Sequence, residues 1–253
     1  MLEQYLRERA KERGILLMTH VVIGYPSFEA TLEVVASMVE AGVEMMELQI
    51  PFSEPIADGP VILHANQRAL ETGAALERCL RFTEEVTQRF DIPFLFMSYY
   101  NILHKFGVPR FVERSKAIGI RGMIVPDLPP EEGREYLASC QQHGISPIFI
   151  FSPTSTDQRL EYLGEQAGGF VYCVARRGVT GSATTFSDEL TDYLRRCRKA
   201  TPLPLAVGFG VKSAEDVAFL RGKAEIAVIG SQTIRVLDEH GPAAVGDFIR
   251  SLR

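Results

Sequence analysis

Val43-Glu44-Met45-Met46-Glu47-Leu48-Gln49-Ile50-Pro51-Phe52-Ser53-Glu54-Pro55-Ile56-Ala57-Asp58-Gly59-Pro60 begins as an apolar run and ends among prolines and glycine. Its first half reads as a buried strand with Glu47 near the end, and its second half as the loop beyond, carrying Asp58. A carboxylate carried into apolar surroundings has its charged form disfavoured, so Glu47 is expected to titrate nearer the range useful for proton transfer. Asp58, among Pro and Gly, is expected to stay ionised. Two acids held in different environments can divide the work, one moving protons and the other orienting a donor. A strand-end Glu paired with Lys or Arg, plus a solvated loop Asp, is the purely structural reading of the same residues.

The apolar signature recurs along the chain. Runs rich in Val, Ile, Leu, Met and Phe lie at Ile15 to Ile23, Met45 to Ile50, Phe94 to Ser98, Gly122 to Val125, Pro147 to Phe151, Phe170 to Val174, Leu203 to Val207 and Glu225 to Ile229. Runs of this kind mark strands covered on both faces, and the amphipathic stretches between them supply crossover helices. Helices are expected near 28–41, 62–72, 75–89, 108–118, 131–143, 156–166, 187–199 and 213–221, with a last one from about 231. Ser27 and Ser213 stand as N-caps, and Pro129-Pro130-Glu131-Glu132 puts prolines and acids at a helix start. Eight strand–helix units within 253 residues predict an α/β fold, a (β/α)8 TIM barrel forming a single domain over 1–253. An extra N-terminal helix is expected in Met1-Leu2-Glu3-Gln4-Tyr5-Leu6-Arg7-Glu8-Arg9. Barrel enzymes build their sites at the C-terminal ends of the strands, where Glu47 and Asp58 both fall.

With 27 Lys+Arg against 32 Asp+Glu, the chain has no global basic field to gather nucleic acid or an anionic membrane. An anionic substrate therefore needs a local site. Cys79, Cys140, Cys173 and Cys197 are too scattered for a zinc or redox motif and read as idle thiols of a reducing cytosol. No stretch approaches 18 apolar residues and no secretory signal opens the sequence, so a cytoplasmic protein is expected. His20, His64, His104, His143 and His240 lack the spacing of metal ligands, and each reads as a surface or packing residue.

Glycines cluster after the last three strands, in Arg177-Gly178-Val179-Thr180-Gly181, Gly208-Phe209-Gly210-Val211 and Gly230-Ser231. Glycine lets backbone N–H groups approach a ligand, and a helix starting after Gly230-Ser231 would turn its positive end toward an anion. Barrels often form a phosphate site at this place.

These residues resemble the tryptophan synthase alpha subunit family over nearly the whole chain. The resemblance rests above all on Pro51-Phe52-Ser53-Glu54-Pro55-Ile56-Ala57-Asp58-Gly59-Pro60. Tyr99-Tyr100-Asn101, Val125-Pro126-Asp127-Leu128-Pro129-Pro130-Glu131-Glu132, Arg176-Arg177-Gly178-Val179-Thr180-Gly181, Val207-Gly208-Phe209-Gly210 and Ile229-Gly230-Ser231 follow in the family's order and spacing. The resemblance implies a lyase that splits indole-3-glycerol phosphate into indole and glyceraldehyde 3-phosphate by a retro-aldol step, with no cofactor. It implies Glu47 as general acid/base and Asp58 as acceptor of the indole N–H. Gly181, Gly210, Gly230 and Ser231 would hold the phosphate, with Tyr99, Tyr172 and Phe209 at the substrate and Thr180 in a loop that closes over it. Ser53, Glu54, Pro55 and Asn101 would face a beta subunit, in a heterotetramer of two alpha and two beta chains.

The sequence also departs from the family. Gln49 stands where glycine is usual and is expected to crowd the pocket or reorient the acid; His20 replaces a common aromatic, Tyr25 the usual aspartate, and Ala175 and Arg177 differ around the closing loop. A Schiff-base aldolase is disfavoured because none of the eight apolar runs contains a lysine. The remaining alternative is a weakly catalytic chain that binds the phosphate ligand and acts as allosteric partner of a beta subunit.

Overall fold

The computed structural model describes residues 1–174, 188–208 and 210–253. Nine strand segments, β1 (Leu16–Val22), β2 (Met45–Gln49), β3 (Phe94–Met97), β4 (Ile120–Ile124), β5 (Ser146–Ile148), β6 (Ile150–Phe151), β7 (Val171–Val174), β8 (Leu205–Gly208) and β9 (Ile226–Ile229), pair in parallel in the order β5-β4-β3-β2-β1-β9-β8-β7-β6. The expected run Pro147 to Phe151 is broken at Phe149: its first half pairs with β4 and its second with β7. That divided strand brings the two edges of the sheet together, so the nine segments make an eight-stranded TIM barrel.

Helices α1 (Leu2–Arg13), α2 (Phe28–Glu40), α3 (Pro60–Glu71), α4 (Leu76–Arg89), α5 (Tyr100–Phe106), α6 (Val108–Ala117), α7 (Arg134–His143), α8 (Asp157–Gln166), α9 (Asp188–Ala200), α10 (Ala214–Leu220), α11 (Ser231–His240) and α12 (Pro242–Ser251) complete the described elements. Local chemistry sets their starts. The Ser27 hydroxyl accepts from Ala30 N at 3.1 Å, and Ser213 forms a reciprocal capping box with Asp216. The expected helix at 131 begins instead at Arg134, because Pro129 to Gly133 turns back on itself and Glu131 pairs with Arg159 of α8. The expected last helix is two, divided where Gly241 takes φ 81 and Pro242 opens α12. The short helix α5 was not expected from the sequence.

Alternation along the strands sorts the side chains. Leu16 and Met18 of β1, Met45 of β2 and Leu95 of β3 fill the barrel interior together with Ile226 and Val228 of β9, and Leu2 and Leu6 of α1 join them. The N-terminal helix is thus the floor of the barrel. Glu44, just before β2, is 2% exposed and structural: it accepts from Leu17 N at 2.8 Å and pairs with Arg253 at 2.7 Å. Among the described residues no helix is long and apolar enough to cross a membrane.

Gly122 of β4 sits where a Cβ would stand 2.8 Å from Ile148 Cδ1 and 3.0 Å from the Ser146 carbonyl oxygen. Gly122→Ala is therefore expected to cost about 1–3 kcal/mol through overpacking and to lower the melting temperature by several degrees. Thermal unfolding followed by circular dichroism checks this; an unchanged midpoint would show that the wall yields freely.

Candidate active site

The register of β1 against β2 sets His20 directly beside Glu47. Their side chains meet inside the wall, Nδ1 to Oε1 at 2.7 Å, with His20 3% and Glu47 4% exposed. Two residues on, Gln49 faces the same way and its Nε2 donates to Asp58 Oδ2 at 2.6 Å. Asp58 reaches this place because the loop after β2 folds inward. Asp58 N donates to the Pro55 carbonyl oxygen, Phe52 stacks on the Tyr99 ring at 5.2 Å, and buried Asn66 accepts from Phe52 N at 3.0 Å. The Tyr99 hydroxyl then donates to Asp58 Oδ2 at 3.1 Å and accepts from Ala57 N at 3.1 Å.

These contacts change the electrostatic picture read from the sequence. Burial pushes Asp58 above the ordinary carboxylate range, and the neighbouring Glu47 charge adds to the rise; the Gln49 bond, the His20 charge and the Tyr99 hydroxyl oppose it. Asp58 is therefore not the solvated loop acid that its Pro and Gly neighbours suggest. His20 is not a surface or packing histidine either. Burial alone would lower its pKa, but the hydrogen bond and charge of Glu47, with the charge of Asp58, raise it above the ordinary histidine value. Gln49, expected to crowd the pocket or reorient the acid, holds Asp58. Parity was the signal for His20, which lies at an inward position of β1 beside the strand that carries Glu47.

Tyr172 of β7 belongs to the same site. Burial, then the charges of Glu47 and Asp58, hold its hydroxyl far above the usual tyrosine range, so it stays neutral in the field of both acids. Gly208 of β8 makes room for it, since a Cβ there would run into the Tyr172 ring. Glu47 Oε2, His20 Nε2 and Gln49 Oε1 are buried with no hydrogen-bond partner among the described residues. Buried polar atoms are nearly always satisfied in folded proteins, so Glu47 Oε2 has capacity for a ligand, whereas the His20 and Gln49 side chains interact with each other.

On the other side of the barrel mouth, Gly230 caps α11, a helix of ten residues. Thr233 N and Oγ1 both bond to the Gly230 carbonyl oxygen, at 3.0 and 2.7 Å. By helix geometry the N–H groups of Ser231 and Gln232 have no partner within the helix and lie at its positive end. Gly210 is exposed after β8 in the left-handed region, φ 62. Ala175, Arg177, Thr180, Gly181 and Phe209 lie outside the described residues. Among the described residues no three His, Cys, Asp or Glu side chains form a metal-binding group.

The loop that carries Asp58 inward shows another face outward. Ser53 and Glu54 are exposed and Ile56 is 72% exposed, whereas Pro55 is buried. Asn101 is exposed in α5, whose first N–H, of Tyr100, donates to Asp127 Oδ1 at 2.9 Å. Tyr25, in place of the usual aspartate, donates its hydroxyl to Asp238 at 2.8 Å.

Comparison with known proteins shows the family and the fold. The family model described as tryptophan synthase alpha chain matches residues 6–247. The tryptophan synthase alpha chain of Desulforapulum autotrophicum is 60% identical over 252 residues, covering 100% of both chains. A structure of Mycobacterium tuberculosis tryptophan synthase superposes with a TM-score of 0.93 at 29% identity, over 99% of this chain and 96% of that one. A tryptophan synthase complex from Pyrococcus furiosus superposes with a TM-score of 0.84 at 30% identity, over 94% of this chain and 97% of that one.

Removing the Tyr99 hydroxyl takes a donor from Asp58 and strands the Ala57 N–H. Tyr99→Phe is expected to cost about 1–3 kcal/mol, the penalty for an unsatisfied buried donor, and to raise the Asp58 pKa further. Denaturant unfolding and carboxyl 13C titration measure the two effects; a neutral result in both would exclude the hydroxyl as the support of Asp58.

Proposed function

The chain belongs to the tryptophan synthase alpha chain family, and from that premise we propose that Glu47 and Asp58 perform its chemistry. The protein is a lyase of tryptophan biosynthesis that cleaves indole-3-glycerol phosphate into indole and glyceraldehyde 3-phosphate. The observation that supports the residue assignment most directly is convergence: Glu47 and Gln49, two apart on β2, face the same way, and Gln49 Nε2 holds Asp58 Oδ2 at 2.6 Å.

The retro-aldol step needs a proton delivered to the ring carbon that bears the side chain, and one removed from the adjacent side-chain hydroxyl. Glu47 does both in turn. Protonated, it gives its proton to the ring carbon; as carboxylate, it takes the hydroxyl proton while the carbon–carbon bond breaks, the electron pair returns to the ring and the aldehyde forms. Between the two transfers the ring is cationic and its N–H more acidic. Asp58 as anion accepts from that N–H and stabilises charge absent from the ground state. Gln49 and Tyr99 both bond to Oδ2, leaving Oδ1 for the ring. Tyr99 and Tyr172 bound the ring site. The phosphate is assigned to Gly210, Gly230 and Ser231, with Gly181, Phe209 and Thr180 joining them on the family resemblance alone; remote from the bond that breaks, it supplies binding energy for positioning.

The protein pairs with a tryptophan synthase beta subunit, as in the complexes of this family. Ser53, Glu54 and Asn101 are assigned to that contact by their exposure, and Pro55 as the buried support of their loop. The whole reaction is assigned to one domain, residues 1–253, and to the cytoplasm, since a phosphorylated intermediate is charged and does not cross membranes freely. A chain that only binds the ligand and modulates its partner is the second reading, and Gln49, already bonded to Asp58, is the observation that favours it.

Cleavage of indole-3-glycerol phosphate by the purified chain, alone and with its beta subunit, separates the two. Glu47→Gln is expected to abolish cleavage while binding of glycerol 3-phosphate, measured by calorimetry, stays within a few-fold; retained activity would remove Glu47 from the mechanism. For Asp58→Asn a loss of about 10²–10³ in kcat with modest change in KM is expected, as for removal of one preorganised charge-stabilising group. A rise in KM at constant kcat would instead assign Asp58 to binding alone.

A further inference from the structure

A carboxylate that carries protons for a substrate has two equivalent oxygens and a soft terminal torsion, so the wall around it must decide which oxygen reacts. At Glu47 the wall does so from one side only. Oε1 lies 2.7 Å from His20 Nδ1, whereas Oε2 is buried and has no partner among the described residues. The inward register pair one step below is Met18 and Met45, both fully buried, which offer no polar group. Thr233 of α11 bonds the backbone oxygen of His20, at 3.4 Å, and makes no hydrogen bond to Glu47. The histidine ring is therefore the one polar hold on Glu47 among the described residues.

We infer that His20 is a positioning residue of the lyase reaction: its Nδ1–H clamps Oε1 of Glu47, so that Oε2 alone exchanges protons with the substrate. The inference rests on Glu47 being the acid and base. In the first transfer the proton on Oε2 goes to the ring carbon, leaving a carboxylate; in the second, Oε2 takes the proton of the side-chain hydroxyl as the carbon–carbon bond breaks. The Nδ1–H stays on His20 throughout. Its bond to Oε1 is strongest when Glu47 is anionic, which is the state between the two transfers, because charge-assisted bonds are roughly twice as strong as neutral ones. His20 thereby favours the intermediate stage over the resting one.

The test uses the full chain with its beta subunit. His20→Phe, which fills the space without a donor, is expected to lower kcat about 10²-fold, the scale of a small misplacement of a reacting group, with KM little changed. His20→Asn places an amide N–H near the Nδ1 position and is expected to recover most of that loss. Binding of glycerol 3-phosphate should be the same in all three proteins. In the wild type, 15N NMR of labelled histidine should find the His20 Nδ1 protonated and strongly hydrogen-bonded, a measurement that stands even where a variant does not fold. Wild-type kcat in His20→Phe, equal losses in the Phe and Asn variants, or an unprotonated Nδ1 would each overturn the clamp. If those results came with an inactive Glu47→Gln, only His20's part would fall; an active Glu47→Gln would remove the reading of Glu47 itself.

Discussion

Glu47 is a carboxylate fixed to the inner wall of a parallel barrel, and taking such a group out of water costs several kcal/mol unless partners compensate it. Much of the mouth is arranged by that requirement. His20 answers one oxygen directly, and its positive charge, where present, also steadies Asp58. Asp58 in turn needs Gln49 and Tyr99, and Tyr99 needs the inward fold of the loop from Pro51 to Gly59, which Asn66 and the Phe52 ring hold shut. What remains without a hydrogen-bond partner among the described residues is the second oxygen of Glu47 itself.

Glu44 lies just before β2 and Glu47 in its middle, three positions on, and the two acids have opposite tasks. Glu44 closes the N-terminal rim by accepting the Leu17 N–H of β1 and pairing with Arg253. Glu225 repeats the device before β9, accepting from Leu205 N at 2.8 Å and pairing with Arg198. Both of these acids are matched and serve stability, while Glu47 keeps one oxygen without a partner among the described residues. This agrees with the general division of barrels into a supporting and a reacting face.

Much of this is legible in the sequence. Continuous apolar runs of four to nine residues, separated by helix-length amphipathic stretches, announce a parallel barrel, and the position of Glu47 at the end of such a run announces a buried acid. Three kinds of information were not local enough to read. The change of partner at Phe149, from β4 before it to β7 after it, has no signal in Ile148-Phe149-Ile150. Asp58 lies in a segment whose Pro and Gly suggest a solvated turn, and only its contacts with Tyr99 and Gln49, far away or across a strand end, turn it inward. His20 was discounted because histidines were weighed by spacing to one another, when the informative spacing was its register against β2. The lesson is that inward parity on adjacent strands should be read before residue type.

The floor of the barrel is the helix that comes first in the chain. Leu2 and Leu6 share one buried cluster with Leu16 and Met18 of β1, but also with Phe170 before β7 and with Ile226 and Val228 of β9, which are synthesised long afterwards. A nascent chain therefore exposes two leucines whose seat does not yet exist, and the earliest helix is the last to dock. Pairing of β1 with β9 and seating of that helix are the same late event, so closure of the cylinder from the side and plugging of its base should be one cooperative step, slow to reach because the sequence separation it must bridge is nearly the whole polymer.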